Sequence, residues 1–392
     1  MPTAPHGDGL TERKRDRVRD AMRRADIAGF VLCENGRTRY LTGYQRYHSA
    51  TQLAPAHAVV MTLDHGPILM VPRHIVAAAE KCAADRVIEY PQSQADKVAT
   101  LAELLTTLGL ADERLGIEFE FMPHGFAAAL GQRLPKVRLV DASPVMRGVT
   151  GIKFAEEITI LREAARIADL GVAAAIEAAR EGASEIEIGA RSSASMLDAG
   201  AEFVNHMTIR SGPHAAALFP LLTSRRLAKG DCVQIDIGCV YQGYVSDTNR
   251  SIVIGPPTPE QRTLMEVGQG MLEAGLAAVR AGIEAAHLWR VCRDVAAARD
   301  LSQWMAIPFV GHGIGLSLHE PPLIAPESPD VLAEDMVLAL EPGLFIPGIG
   351  ASRPEDMLRV TADGCELLTH HPRDHDMLAE TDLPSSSGPR IE

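Results

Sequence analysis

Apolar positions recur along this chain with more than one period, and the change of period divides it. From Thr11 to Val145, short apolar runs (Gly29–Leu32, His57–Leu63, Ile68–Val71 and Leu115–Ile117) alternate with helical segments, which predicts a mixed α/β domain. The polar stretch Glu34-Asn35-Gly36-Arg37 reads as an ordinary turn. From Phe154 to Glu181 the residues Ile158, Leu161, Ala165, Ala168 and Val172 fall at helical spacing, so a long amphipathic helix opens a second domain just after Gly148 and Gly151. Two more helices are expected, Pro259–Ala281 behind Thr258 as N-cap and roughly Ala285–Ala298. The predicted organisation is a flexible start (1–10), an N-terminal domain (11–147), a C-terminal domain (148–372) and a disordered Ser/Pro-rich tail (373–392).

The second domain carries the chemistry. Cys232–Ile254 reads as two strands around Val240-Tyr241-Gln242-Gly243. Centring that hairpin between Tyr241 and Gln242 sets Asp236 opposite Asp247. Directly opposed side chains lie about 4.5–5.5 Å apart at Cβ, where like charges destabilise unless a cation lies between them. The same reasoning about a turn centred on Gly348 sets Glu341 opposite Glu355. Between the two hairpins lie Gly311-His312-Gly313-Ile314-Gly315 and Leu318-His319-Glu320, whose imidazoles supply nitrogen ligands or acid/base groups. Four carboxylates with one imidazole make a hard, oxygen-rich donor set suited to Mn, Fe(II), Co or Zn. Their summed charge suggests two divalent ions.

Charge and composition narrow the partners. A net charge of −13 without a long Lys/Arg cluster argues against nucleic acid or an anionic membrane, and for a small neutral or cationic substrate. The six cysteines are scattered singly, as buried apolar residues in a reducing compartment would be. With no signal-like apolar run and no stretch of about 18 apolar residues, a cytoplasmic location without membrane insertion is expected.

Taken in order, Gly230-Asp231, Asp236-Ile237-Gly238, Gly243 through Arg250, Gly311 through Leu316, His319-Glu320, Glu341-Pro342-Gly343 and Arg353-Pro354-Glu355-Asp356 resemble the family of Xaa-Pro dipeptidases, Xaa-Pro aminopeptidases and methionine aminopeptidases. Arg37 through Tyr44 resembles the N-terminal domain of its prolidase and creatinase branch. The resemblance implies an α+β architecture, a pita-bread catalytic domain behind a smaller α/β creatinase-like domain, and a homodimer. It implies that Asp236 chelates one ion, that Asp247 and Glu355 bridge both, and that His312 and Glu341 hold the second. A bridging hydroxide would be the nucleophile. Glu341 would also act as general base, and His319 would donate a hydrogen bond to the carbonyl or the tetrahedral intermediate.

The chain departs from the peptidase pattern twice. Phe219 and Pro308 stand where these peptidases usually carry substrate-contacting histidines. Loss of one such polar contact typically costs about 1–3 kcal/mol. His214 is a candidate replacement, and Arg353 a further candidate substrate contact, alongside Phe219. The favoured expectation is a dinuclear metal-dependent hydrolase acting on a dipeptide, short peptide or small amide. The alternatives are a non-peptidase enzyme on the same fold, resembling creatinase, ectoine hydrolase or a dimethylsulfoniopropionate lyase, and an inactive binding module.

Overall fold

The computed structural model describes residues 8–44, 57–91, 93–218 and 221–373, and the chain divides into two compact units, Met1–Thr150 and Gly151–Glu392. The first is built on a mixed six-stranded sheet. Its strands are β1 (Gly29–Leu32), β2 (Ala58–Thr62), β3 (Ile68–Pro72), β4 (Arg86–Tyr90), β5 (Arg114–Ile117) and β6 (Arg138–Asp141), in the order β4-β3-β2-β1-β5-β6. β1, β2 and β3 are buried along their whole length, which is why they read as continuous apolar runs rather than alternating ones. The helices are α1 (Asp8–Arg24), α2 (Asn35–Thr42), α3 (Val76–Ala79), α4 (Gln94–Thr107), α5 (His124–Arg133) and α6 (Ser143–Gly151).

Several local expectations change here. Glu34-Asn35-Gly36-Arg37 is the first turn of α2, because the Glu34 carboxylate accepts from the backbone N–H groups of Gly36 (2.8 Å) and Arg37 (2.7 Å) as an N-cap. Asp8–Leu10 belong to α1, with Leu10 buried, so the start of the chain is ordered earlier than residue 11. Gly148 lies inside α6, and the two units divide at Thr150/Gly151. Arg373 is held by Asp356 at 2.8 Å and is not part of a loose tail; the rest of the predicted tail lies outside the described residues.

The second unit contains two helix pairs, α7 (Ala155–Ala178) with α8 (Glu185–Asp198) and α9 (Pro259–Ala278) with α10 (Ala285–Ala297). Each pair turns through a glycine of positive φ, Gly182 (84°) and Gly282 (85°). Thr258 caps α9 in a reciprocal box, accepting from Gln261 N (3.2 Å) while Gln261 Oε1 accepts from Thr258 N (2.9 Å).

One sheet of this unit comprises β7 (Phe203–Ser211), β8 (Cys232–Tyr241), β9 (Tyr244–Val245) and β10 (Thr248–Val253), with the path β10-β8-β7 and β9 paired to β8. The other comprises β11 (Gly311–Gly313), β12 (Glu320–Leu323), β13 (Val337–Leu340), β16 (Asp356–Val360) and β17 (Cys365–Leu367), with a two-stranded ribbon of β14 (Leu344–Ile346) and β15 (Gly350–Ser352). Period-two alternation gives β8 two unlike faces. Val233, Ile235, Ile237 and Cys239 enter an apolar cluster with Ile167, Val172, Ile188 and Met196 of α7 and α8. Gln234, Asp236 and Gly238 point the other way, towards the site.

The two hairpins differ in how well the turn located them. β8 and β9 are symmetric about the Gln242–Gly243 bond, a two-residue turn with both φ positive (46° and 82°), so Asp236 pairs with Asn249 and not with Asp247. Moving the centre by one residue shifts every pairing by two positions, which keeps each side chain on its face. Asp236 and Asp247 are therefore diagonal neighbours on one face, still within reach of each other. In the second hairpin, Leu344↔Ser352 and Leu340↔Asp356 are both symmetric about Gly348, with Glu341 and Glu355 in the gap between the two ladders.

Candidate metal centre

The five expected donors come from both sheets of the second unit. Asp236 comes from β8 and Asp247 from the segment before β10, His312 from β11, Glu341 from just beyond β13, and Glu355 from just before β16. An isolated bridge between Asn249 and Glu355 ties the two sheets together at the site, and the Arg250 guanidinium secures it by donating to the Glu355 carbonyl (2.6 Å) and to Asp356 (2.8 Å). All five donors are buried.

Asp247 stands between two imidazoles. Its Oδ1 lies 3.0 Å from His206 Nε2, and its Oδ2 lies 3.5 Å from His312 Nε2. His206 Nε2 is also 3.3 Å from Asp236 Oδ1, and His312 Nε2 is 3.2 Å from Glu341 Oε1. Donor atoms that share one ion at about 2.1 Å are themselves about 3.0–3.4 Å apart, so these separations fit a common cation. His206 Nε2, Asp247 Oδ1, His312 Nε2 and both Glu355 oxygens are buried without a hydrogen bond of acceptable geometry. Buried polar atoms are rarely left so, and cations held on the two sides of Asp247 would satisfy them.

Arg353 orients two of the carboxylates. Its guanidinium grips Asp236 Oδ2 and lies 3.1 Å from Glu341 Oε2, leaving Asp236 Oδ1 and Glu341 Oε1 to face His206 and His312. Arg210 of β7 adds a second cation 3.6 Å from Asp236 Oδ2. The carboxylates are thus partly neutralised by protein, and charge counting alone no longer calls for two ions.

The electrostatics follow from this packing. Burial lowers the basicity of His206 and His312, but Asp247 with Asp236 for the first, and Asp247 with Glu341 for the second, outweigh it and raise each to about 10. Burial opposes the Asp247 charge, yet His206 and His312 hold this carboxyl well below the usual range. Glu355, without a hydrogen-bonded partner, is pushed well above it by burial and then by Asp247 and Glu341. His319 is lowered, by burial and by His312, whose ring it meets edge-on at 4.1 Å between centroids. It stands with His312 and Glu341 in a group whose donor atoms lie within 4.8 Å of one another. Glu320 shapes the His319 loop, accepting from Leu316 N (2.8 Å) and Ser317 N (2.9 Å) while pairing with Lys153 (2.9 Å).

The expected substrate contacts fare differently. His214 is exposed on the short 3-10 turn Gly212–His214, and among the described residues no hydrogen bond or ion pair joins its side chain to the cluster. Phe219 lies outside the described residues. Arg353 is buried against the carboxylates, and Pro308 is exposed. His206 and Arg210 were missed by sequence reasoning. Their signal is the alternation His206-Met207-Thr208-Ile209-Arg210, polar towards the site and apolar towards the helices, paired with Gly238, Asp236 and Gln234 of β8.

A family model described as metallopeptidase family M24 matches residues 159–362, the stretch that supplies every one of these donors. The chain belongs to that family. Residues 14–149 match the creatinase/prolidase N-terminal domain. The Xaa-Pro dipeptidase of Pyrococcus horikoshii is 35% identical over 261 residues, covering 66% of this chain and 74% of its own. The probable dipeptidase PepE of Mycobacterium tuberculosis is 30% identical over 351 residues, 89% of this chain and 92% of its own. A solved Xaa-Pro dipeptidase from Bacillus anthracis superposes with a TM-score of 0.84 at 27% identity, over 93% of this chain and 99% of that one. This M24 protein is therefore a metal-dependent hydrolase whose pita-bread domain follows a creatinase-like domain along the chain, and the inactive-module alternative falls away. Among the described residues, no helix is long and apolar enough to cross a membrane.

Proposed function

We propose that this M24 hydrolase is a dipeptidase that uses two divalent ions (Mn, Co, Zn or Fe), one on each side of Asp247. The observation that carries the reading is the division of the Asp247 oxygens, Oδ1 towards His206 and Asp236, Oδ2 towards His312 and Glu341. Asp247 and Glu355 would bridge, with Asp236 on one side and His312 with Glu341 on the other. When bound, such ions polarise a scissile carbonyl and lower the pKa of water at the site.

The chain's own residues supply the rest. Arg353 fixes the orientation of Asp236 and Glu341. Glu341 takes the proton released as water attacks, and His319, its basicity lowered first by burial, donates a hydrogen bond to the oxygen on which negative charge develops. A dimer accompanies this reading, supported by the resemblance to the prolidase branch, and a cytoplasmic location accompanies it on the singly scattered cysteines and the lack of a signal-like apolar run.

A second reading is a non-peptidase hydrolysis or elimination on the same fold. It is favoured by Pro308, which is exposed and brings no donor where the peptidases usually have histidine. Elemental analysis of the reconstituted protein, followed by assay against Xaa-Pro dipeptides, other dipeptides, creatine, ectoine and dimethylsulfoniopropionate, separates the two. Two ions per chain with dipeptide turnover is the expected result. Two ions with turnover of a non-peptide alone supports the second reading, and fewer than two ions sinks the dinuclear proposal.

A further inference from the structure

We infer that His206 is a direct nitrogen ligand of the ion held by Asp236 and Asp247, so that each ion of the pair has its own imidazole. The inference rests on the dinuclear reading and adds a donor to it.

Three features of the fold carry it. His206 Nε2 lies 3.0 Å from Asp247 Oδ1 and 3.3 Å from Asp236 Oδ1 without hydrogen-bond geometry, and Asp247 Oδ1 likewise lacks a hydrogen bond although its side chain is only 7% exposed. Three donor atoms thus converge on one point at the spacing of donors around a shared cation. Next, the strand geometry is arranged for the ring. β7 changes register between Val204 and His206, and His206 then pairs with Gly238, where an added Cβ would lie 2.4 Å from His206 Cε1. Glycine at that position leaves room for both the Ser246 carbonyl, which an added Cβ would meet at 2.0 Å, and the imidazole over the sheet.

The third feature is the far side of the ring. The Asn205 side-chain amide lies 3.3 Å from His206 Nδ1. The atom facing Nδ1 is the amide nitrogen; a half-turn of the amide brings its oxygen there to accept the Nδ1 proton and leaves the Nε2 lone pair facing the carboxylates. His312 shows the same design with a fixed acceptor, since the Gly313 carbonyl at 3.0 Å can only receive a proton from Nδ1. The two imidazoles flank Asp247 in matching fashion.

A second nitrogen donor changes which metal the site prefers. Imidazole suits Zn, Fe and Co, whereas an all-oxygen shell suits Mn. His206 therefore biases the Asp236 side towards the nitrogen-preferring ions.

The test is metal loading of the full chain, wild type against His206→Ala, with the better-preserving His206→Asn as a second variant. X-ray absorption on the Co(II)-loaded proteins counts imidazoles, and competition titration gives Co and Mn affinities, both independent of turnover. The variants are expected to lose one imidazole per chain, to bind the weaker Co ion at least about 100-fold less tightly, beyond the loss typical of a supporting partner, and to lose less affinity for Mn. Two ions with an imidazole count and affinities equal to wild type would overturn the assignment of His206 alone. Failure of wild type to bind a second ion would overturn the dinuclear reading and this inference with it.

Discussion

Replacing Arg353 by methionine tests whether protein charge and metal charge share the same task at this site. The side chain is 4% exposed and serves Asp236 and Glu341, which are 6% and 5% exposed, with Glu355 at 4.0 Å. Breaking a buried ion pair from one side typically costs about 3–5 kcal/mol. The lower end applies here, because Arg210 remains 3.6 Å from Asp236 and His312 remains 3.2 Å from Glu341. For a folded body of roughly 150–250 residues, about 3 kcal/mol lowers the melting temperature by about 6–12 °C. Bound ions return positive charge to the same carboxylates. The metal-stripped Arg353→Met protein should therefore melt well below the stripped wild type, and saturating metal should close most of the gap. Thermal unfolding by circular dichroism, with and without chelator, reads both effects. Equal melting temperatures for the stripped proteins, or a gap undiminished by metal, would refute the shared-charge argument.

Other residues give independent checks. Asp247→Asn should lower metal uptake below two ions per chain and cut hydrolysis by at least a hundred-fold while the far-UV spectrum is retained, since a ligand outweighs the ten- to hundred-fold typical of its supporting partners; uptake equal to wild type contradicts the bridging role. His319→Gln should lower kcat by about 10²–10³ with metal content unchanged, because it removes a donor to developing charge and no required ligand; loss of metal would reassign it. Thr258→Ala should cost about 0.5–2 kcal/mol in denaturant unfolding by removing the cap of α9, leaving metal affinity as it was. Burial pushes the Cys33 and Cys292 thiols up to about 12 and Cys239 up to about 11, so at pH 8 a thiol reagent should reach them only on unfolding, with the half-buried Cys82 and Cys365 reacting first.

How much was visible beforehand depends on the range of the interactions involved. Thr258 and the helix it caps, the buried runs of β1 to β3, and the hairpin about Gly348 are encoded within a few residues of each other, so period, cap and turn chemistry sufficed. The resemblance located Asp236, Asp247, His312, Glu341 and Glu355 because each sits in or beside a short segment that contains glycine or proline at a recognisable spacing. The first hairpin failed by one residue at its centre, since Gln242 takes a positive φ that its side chain does not advertise.

What the sequence by itself determined is the two-unit α+β architecture and a C-terminal half bearing four acidic donors and an imidazole at fixed spacing. What only the tertiary structure decided is how those donors are neutralised and how many there are. His206 and Arg210 reach Asp236 because β7 pairs with β8 across the intervening segment 212–231, a long-range pairing no local pattern specifies. Arg353, grouped with the substrate contacts when read in sequence, turns inward because Asp236 and Glu341 converge on it from different sheets. Local spacing can name a donor, but its partner is chosen by which strands pack together.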